Sequence, residues 1–200
     1  DDPDMADRNY HGQGGPIPIY RAPQETWGPV DKGLRDAALA NGYPWNPDLN
    51  APDGEGVSCY PINSRGLKRV TTNDGYLEPA RDRPNLTIIG EALVDKVILT
   101  DGRATGVRAR TGGEWQEFSG KEIVLCAGAV HSPAILMRSG LGPSMHLREH
   151  GIEIMREMPD VGRHFMDHPM LRINVALDKD NATSDPDQRH TNCCVTYSSG

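Results

Sequence analysis

The sequence is poor in the residues that fill a hydrophobic core. Hydrophobic types make up 36% of its 200 residues and Phe, Trp and Tyr together only 6%, whereas 22 Gly and 16 Pro indicate many turns. A chain of this length holds one ordinary domain or parts of two. The composition therefore favours a loop-rich part of a larger protein at least as strongly as an independent domain.

Clustered positive charge and long apolar runs are also missing. The formal net charge is -7 and no run of Lys or Arg occurs, which excludes a nucleic-acid partner because such binding needs a basic surface. No apolar run is long enough to span a membrane. The first ten residues carry acids where a signal peptide has a basic and then an apolar stretch. Because the chain begins without Met and stops within a pattern, we expect an internal fragment.

Cysteine is scarce and poorly placed for bridging. The four cysteines are Cys59, Cys126, Cys193 and Cys194. Cys126 lies in an apolar, strand-like run, and a bridge between the adjacent Cys193 and Cys194 would be strained, so no disulfide framework is expected. A reducing compartment, the cytoplasm, is the predicted location.

Common catalytic motifs are absent or out of context. Neither the G-x-S-x-G nucleophile motif nor the G-x-G-x-x-G dinucleotide fingerprint occurs. HLREH, residues 146–150, formally matches a zinc-binding pattern, but its predicted helix is short and ends at Gly151. HFMDH, residues 164–168, has the same spacing inside a Gly- and Pro-bounded loop. No metal site is therefore predicted at either place.

Before residue 76 the sequence has many turn signals and one helical pattern. Residues 1–75 are predicted to be extended loops around a helix that ends at Asn41-Gly42. The buried face that the 3.6-residue period predicts consists of Val30, Leu34, Ala37 and Ala38.

From residue 76 onwards the pattern changes to short helices and strands. A short helix is predicted near 77–81 and a strand at 86–89. Three strands between 93 and 119 are predicted to form an antiparallel meander, because Asp101-Gly102 and Gly112-Gly113 suit two-residue hairpin turns that need positive φ. Residues 123–127 are apolar on both faces and predict a buried strand in a helix-covered sheet.

Two capped helices are predicted after this strand. Ser132 is the expected N-cap of the first, with Pro133 at its first position and Gly140 at its end. Ser144 and Gly151 have the same two roles in the second. β-like runs follow at 152–155 and 170–177. A strand, a meander, a buried strand and a capped helix together resemble part of a nucleotide-binding α/β domain without its phosphate loop.

Six ordered motifs point to one family. GAVHSPAILMRSGLG, residues 128–142, resembles the second signature of the glucose-methanol-choline (GMC) family of flavoprotein oxidoreductases. Five further stretches are similar to family elements, in order: YHGQGGPIPI, DLNAPDGEGV, RVTTNDGYLEPA, RPNLTIIGEALVDKVI and MPDVGRHFMDHP. The resemblance, which runs from residue 10 to about 175, is to choline dehydrogenase-like and alcohol oxidase-like members.

The resemblance implies an α/β fold, α+β overall, in which part of an FAD-binding Rossmann-like domain with a β-meander precedes part of an antiparallel-sheet substrate domain. Residues 1–75 are then a loop-rich segment bridging the two domains. Residues 76–156 belong to the FAD-binding domain, and residues 157–200 begin the substrate-binding domain.

The resemblance also implies a cofactor and its contacts. By position, Val94 is similar to the residue whose backbone meets the adenine end of FAD. Ala127 and Gly128 lie at the end of the predicted buried strand, where ligands approach such sheets. A side chain at Gly128 would keep the cofactor away, and Ser132 belongs to a helix start whose positive end faces the flavin.

The implied activity is oxidation of a small-molecule alcohol, with hydride transfer to FAD and electrons then passed to oxygen, a quinone or another acceptor. The family's catalytic His and its partner have no counterpart here, so no catalytic residue is assigned, and neither His131 nor His168 is taken as the base. Alone, these residues are expected to bind FAD weakly or not at all and not to turn over. Two alternatives stay open: a hydroxynitrile lyase-type member with a structural flavin, and a non-catalytic binding fragment.

Overall fold

A computed structural model describes residues 1–7, 9–183, 185, 187–189 and 191–198 of the chain. The remaining positions fall in the predicted regions 1–75 and 157–200, and those parts of the predictions lie outside the described residues. The chain divides into two compact units, Asp1–Leu86 with Ile173–Gly200 and Thr87–Arg172. Which of them binds cofactor or substrate is not decided by this division, so the assignment of domains stays a prediction.

The first unit contains the helix expected there, α1 at Pro29–Ala40. Pro29 occupies the first turn, where its missing N–H costs no hydrogen bond, and Gly42 follows the helix with φ of +87°. The predicted buried face is partly wrong. Ala38 is buried, but Val30 and Leu34 are 57% and 45% exposed.

A buried polar residue of α1, Asp31, explains why Val30 and Leu34 face solvent. The Asp31 carboxylate accepts the backbone N–H groups of Asn192 and Cys193, at 3.0 and 3.1 Å, and the Asn192 side-chain amide at 2.8 Å. A buried carboxylate is tolerated when it is hydrogen-bonded in this way. These partners lie about 160 residues away in sequence, so the helical period could not reveal them.

A two-stranded antiparallel sheet lies against α1, and sequence reasoning missed it. Strand β1, Gly56–Cys59, pairs with the ninth strand of the chain, Cys193–Thr196. Around it lies the core cluster of Ala22, Trp27, Ala38, Val57, Cys59 and Cys193. Strands of four residues whose partner is so distant in sequence give no local hairpin signal, and a prediction of loops was the result.

Shorter elements complete the first unit. Strands β2, Ser64–Arg65, and β3, Lys68–Arg69, form a small hairpin. Instead of one helix near 77–81, a π-helical turn at Asn73–Leu77 runs into a 3₁₀ turn at Glu78–Ala80. Further 3₁₀ turns occur at Pro3–Met5, Gln24–Thr26 and Lys179–Asn181.

The predicted meander forms the sheet of the second unit. Strands β4, Leu93–Thr100, β5, Arg103–Thr111, and β6, Glu114–Ser119, pair antiparallel in that order. Both turns have the positive φ angles that the sequence predicted: 51° and 75° at Asp101-Gly102, and 57° and 90° at Gly112-Gly113. The meander is confirmed, and each of its strands pairs with the next strand in sequence.

Two helices and one short parallel pair follow the meander. Helix α2 is Gly128–Arg138, β7 is Leu141–Gly142, α3 is Ser144–Glu149 and β8 is Arg156–Glu157. Strands β7 and β8 pair in parallel. The strand Cys193–Thr196, which pairs with β1, is β9.

The expected roles of the residues that begin and end these helices are confirmed only in part. Helix α2 begins four residues before Ser132, so Ser132 and Pro133 lie inside it rather than at its start. Ser144 is the first residue of α3 and makes no capping hydrogen bond from its side chain. Gly140 does end α2 with φ of +80°, and a Cβ there would stand 2.5 Å from the Glu153 carbonyl oxygen.

Four predicted strands are wrong. Residues 86–89, 123–127, 152–155 and 170–177 form no strand ladder, and β8 begins just after the third of these runs. Instead of being buried, Val124 is 74% exposed. A central strand needs a hydrogen-bonding neighbour on each side. No described strand pairs with these runs, although the Met155 N–H donates to the Gly140 carbonyl at 2.9 Å. Among the described residues, no helix is long and apolar enough to cross a membrane.

Candidate cofactor-binding site

The start of helix α2 brings three of the four predicted cofactor-binding residues together. Ala127 is the N-cap, and its backbone N–H donates to the Ser132 hydroxyl oxygen at 3.1 Å. Gly128 follows with φ of +80°, a conformation that L-residues with side chains rarely adopt. Apart from its chain neighbours and the nearby backbone of the helix itself, no atom lies within 4 Å of the position that a Cβ of Gly128 would take. The surface in front of this turn is therefore open.

The same turn carries uncompensated positive partial charge. The first N–H groups of a helix have no intrahelical acceptor and, with the helix dipole, favour a negatively charged ligand. No acidic side chain stands in the first turn of α2. The helix spans 11 residues, long enough for a full dipole effect. The chemistry of this end of the helix fits the phosphate or ring oxygen of a nucleotide cofactor.

A loop packs beside α2 and forms one wall of a cavity. A Cβ at Gly162 would stand 3.3 Å from Cε of Met137 and 3.9 Å from Cβ of Pro133, so the loop backbone lies directly on the helix. An open cavity of about 550 Å³ lies here, lined by Ala129, Val130, Pro133, Met137 and residues 162–166. Phe165 and Met166 are 59% and 89% exposed, so apolar surface surrounds this opening.

Val94, the fourth predicted residue, lies at the opposite end of α2. Its carbonyl oxygen accepts from the Arg138 guanidinium at 3.4 Å, and Nε of Arg138 donates to the Asp95 carbonyl oxygen at 2.7 Å. Gly128 and Arg138 are the first and last of the 11 residues of α2, roughly 15 Å apart at the rise of an α-helix. The candidate site is thus an extended strip along one helix, and contact of Val94 with adenine stays a prediction.

Ser139 fixes the helix against the meander. Its hydroxyl oxygen accepts the backbone N–H of Val97 at 2.8 Å and its own hydroxyl donates to the Ile135 carbonyl at 2.7 Å. All three residues are buried or nearly so, with Ser139 6% exposed. The sequence predicted no role for Ser139. Its distant partner on β4 left no local signal.

A buried charge cluster in the first unit was also missed. His11 lies between two carboxylates, with Nδ1 3.0 Å from Asp2 and Nε2 2.7 Å from Asp48, and Arg21 pairs with Asp2 at 2.6 Å. These four side chains are at most 9% exposed. Burial alone would raise the pKa of Asp48, but hydrogen bonds from His11 and the Asn50 N–H, and the nearby charges, hold that pKa below its usual range.

The formal zinc patterns do not assemble a site among the described residues. His146 and His150 stack edge to face with ring centroids 4.6 Å apart, and Glu149 stands 4.0 Å from His146 on the exposed side of α3. Throughout the described part of the chain, no group of three or more His, Cys, Asp or Glu side chains is placed to hold a metal ion. His131 is exposed in the first turns of α2, and His168 is exposed in its loop.

The antiparallel meander, helix α2 beside it and the open start of that helix form a mixed α/β unit whose helix start suits a negatively charged ligand. The chain belongs to the GMC oxidoreductase family, which residues 4–170 match. The resemblance drawn from the six motifs is confirmed. The predicted fold class is confirmed as well, since the chain mixes helices with several antiparallel sheets and shares its fold with GMC flavoenzymes.

Curated relatives support the same membership. The chain is 36% identical over 164 residues to an uncharacterised GMC-type oxidoreductase of Rhodococcus erythropolis, covering 82% of this chain and 33% of the relative. It is 37% identical over 178 residues to the oxygen-dependent choline dehydrogenase of Ectopseudomonas mendocina, covering 86% and 31%. The chain thus spans about a third of the length of these relatives.

Solved structures show the same fold. Pyridoxine 4-oxidase from Mesorbium loti matches with a TM-score of 0.75 and 35% identity, over 80% of this chain and 31% of that one. An FAD-dependent oxidoreductase from Chaetomium thermophilum matches with a TM-score of 0.67 and 29% identity, over 74% and 26%. Both matches again cover a part of a longer enzyme.

Proposed function

We propose that this chain forms part of the FAD-binding region of an oxidoreductase that oxidises the CH–OH group of a small alcohol. The single observation that carries the proposal is the open, positively polarised start of α2 at Gly128, in a chain that belongs to the GMC family. Within the proposed enzyme, residues 76–156 contribute to the FAD domain. Residues 1–75 bridge it to a substrate domain that begins at residue 157.

The residues that would hold FAD are Ala127, Gly128 and Ser132, with Val94 at the adenine end. Gly128 presents backbone without a side chain, so a planar ring or a phosphate can approach the helix start. The Ser132 hydroxyl holds the Ala127 N–H and thereby keeps the turn before the helix in one conformation. The N–H groups of the first turn stabilise negative charge on the ligand.

Bound FAD supplies the hydride acceptor for alcohol oxidation, chemistry that no amino-acid side chain provides. The base that takes the hydroxyl proton is proposed to lie outside this chain. His131 and His168 are exposed and have no hydrogen-bonded partner side chain that would orient either ring as a base, within the part of the chain that the structure describes. This chain's contribution is therefore cofactor binding and orientation.

The partners of the proposed enzyme are a small-molecule substrate and an electron acceptor, oxygen or a quinone. Choline dehydrogenase and pyridoxine 4-oxidase are the names of relatives, and they support an alcohol substrate without identifying it. The proposed location is the cytoplasm, which the four free cysteines support because disulfides are rare there.

Anaerobic titration of the full-length protein with small alcohols tests the activity. Bleaching of the visible flavin absorption by an alcohol, and its return with an acceptor, is the expected result. Cyanohydrin cleavage without any change in the flavin spectrum would favour the lyase alternative instead. A full-length protein that purifies without flavin and binds none when FAD is added would contradict the proposal and leave the non-catalytic alternative.

A further inference from the structure

The ladder between β1 and β9 sets two cysteines opposite each other. Cys59 is the register partner of Cys193, and Ser58 is the partner of Cys194. Residues directly opposite in an antiparallel ladder point to the same face of the sheet. Cys59 and Cys193 therefore share a face, while Cys194 points to the other one.

The backbone hydrogen bonds show which kind of pair this is. Tyr60 N–H donates to the Asn192 carbonyl at 2.8 Å, so the next position of the ladder is hydrogen-bonded. Cys193 N–H does not face β1, because it donates to the Asp31 carboxylate at 3.1 Å. Hydrogen-bonded and non-hydrogen-bonded pairs alternate, so Cys59 and Cys193 form a non-hydrogen-bonded pair.

The geometry of such a pair suits a disulfide. Directly opposite residues at these positions have Cα atoms about 4.5 Å apart, closer than in hydrogen-bonded pairs. A disulfide requires Cα atoms separated by roughly 4.4 to 6.8 Å. Cys59 and Cys193 are 6% and 5% exposed and belong to the same core cluster beside Trp27. Both are free thiols in the structure.

We propose that Cys59 and Cys193 are a latent cross-strand disulfide site that closes when the protein meets a low-molecular-weight disulfide such as oxidised glutathione. One protein thiolate attacks the small disulfide and releases one glutathione thiol. The second protein thiolate then attacks the mixed disulfide and releases the other. In sum, two protein thiols lose two electrons and two protons, one S–S bond forms, and the small disulfide is reduced to two thiols.

Both thiols have environments that make this closure slow near neutral pH. Burial raises the pKa of Cys59, and burial followed by the neighbouring Cys194 raises the pKa of Cys193 to about 11. Only the thiolate attacks, so the rate should rise with pH. The other titratable or charged groups that act on the pKa of one or both thiols are Asp31, Arg35, Cys194, Arg21 and Asp4.

Thiol counting in a Cys126→Ser variant tests the site, because Cys126 is exposed and would otherwise react on its own. Treatment of the folded protein with oxidised glutathione should lower the number of thiols titrated in denaturant from three to one. The rate should increase by up to about tenfold per pH unit between about pH 7 and about pH 9. Dithiothreitol should restore all three thiols.

Peptide mapping identifies the bond without any change in the core. Fragmentation spectra of the oxidised Cys126→Ser protein should link Cys59 to Cys193, and Cys126→Ser/Cys194→Ser should close equally well, with two thiols falling to none. A link between Cys193 and Cys194, a link between Cys59 and Cys194, stable mixed disulfides alone, or no loss of thiols before unfolding would each overturn the proposal.

Discussion

The Ser132 hydroxyl accepts the backbone N–H of Ala127 across the first turn of helix α2, at 3.1 Å. Ser132 is the sixth residue counted from the N-cap, so its side chain reaches back over the turn that contains Gly128. This one hydrogen bond satisfies a donor that the helix itself leaves unpaired. It also fixes the backbone of the residues proposed to face the flavin.

Replacing Ser132 with Ala should destabilise the second unit. The Ala127 N–H loses its acceptor, and loss of a hydrogen bond at a helix start costs about 1 kcal/mol of unfolding free energy. Urea unfolding followed by circular dichroism measures the change. The matched control is Ser144→Ala at the start of α3, where the hydroxyl makes no cap, so its effect should stay within about 0.5 kcal/mol. Equal losses in the two variants would contradict the role of Ser132.

Replacing Ser139 with Ala should cost more, because it leaves a buried donor without a partner. The Val97 N–H bonds to the Ser139 hydroxyl, and it lies on β4, an edge strand of the three-stranded sheet. An unsatisfied buried group costs about 1–3 kcal/mol. Ser119→Ala, on the exposed end of β6, is the control. Amide hydrogen exchange at Val97 should accelerate only in Ser139→Ala, and unchanged protection there would refute the link between helix and meander.

Acid should weaken the first unit through Asp48. A carboxylate whose pKa is lower in the folded than in the unfolded chain, near about 3.9, stabilises the fold above that value. The stabilisation is lost as the pH falls through the lowered folded pKa. Asp48→Asn removes the carboxylate that contacts His11 and Arg21. This change should lower the free energy of unfolding by about 3 kcal/mol at pH 7.

The pH profile separates this role from general damage. Unfolding free energy measured from pH 7 downwards should fall less steeply in Asp48→Asn than in the unchanged protein, because one linked proton is absent. Asp53→Asn, on the exposed part of the same loop, should keep the original slope. Parallel profiles for all three proteins would show that Asp48 is not the group that titrates.

Local signals predicted the local parts of the fold. The Asp-Gly and Gly-Gly turns gave the meander and its order, and Asn41-Gly42 gave the end of α1. The prediction of a strand at 123–127 was wrong for the opposite reason. Its apolar residues on both faces suggested a buried strand, but a strand also needs hydrogen-bonding neighbours, which come from elsewhere in the sequence. The same dependence hid the pairing of β1 with β9.

The sequence predicted which residues form the candidate site, but it predicted their arrangement only in part. Family resemblance pointed to Gly128 and Ser132, and the structure places both at one helix start. Expecting Ser132 as the N-cap was wrong, because the positive φ of Gly128 lets the helix begin earlier. Arg138, which holds the Val94 carbonyl, could not be foreseen, since its partner lies 44 residues away.

The FAD affinity of a Gly128→Ala variant of the full-length protein tests most directly whether FAD binds against the start of α2. Gly151→Ala is the matched control, because Gly151 also has positive φ, 65°, and open space around its missing Cβ. Both changes carry a similar backbone strain, roughly 1–2 kcal/mol. Only Gly128→Ala should lose FAD affinity, by about tenfold or more as measured by flavin fluorescence titration. Equal affinity in the two variants would contradict FAD binding at the start of α2.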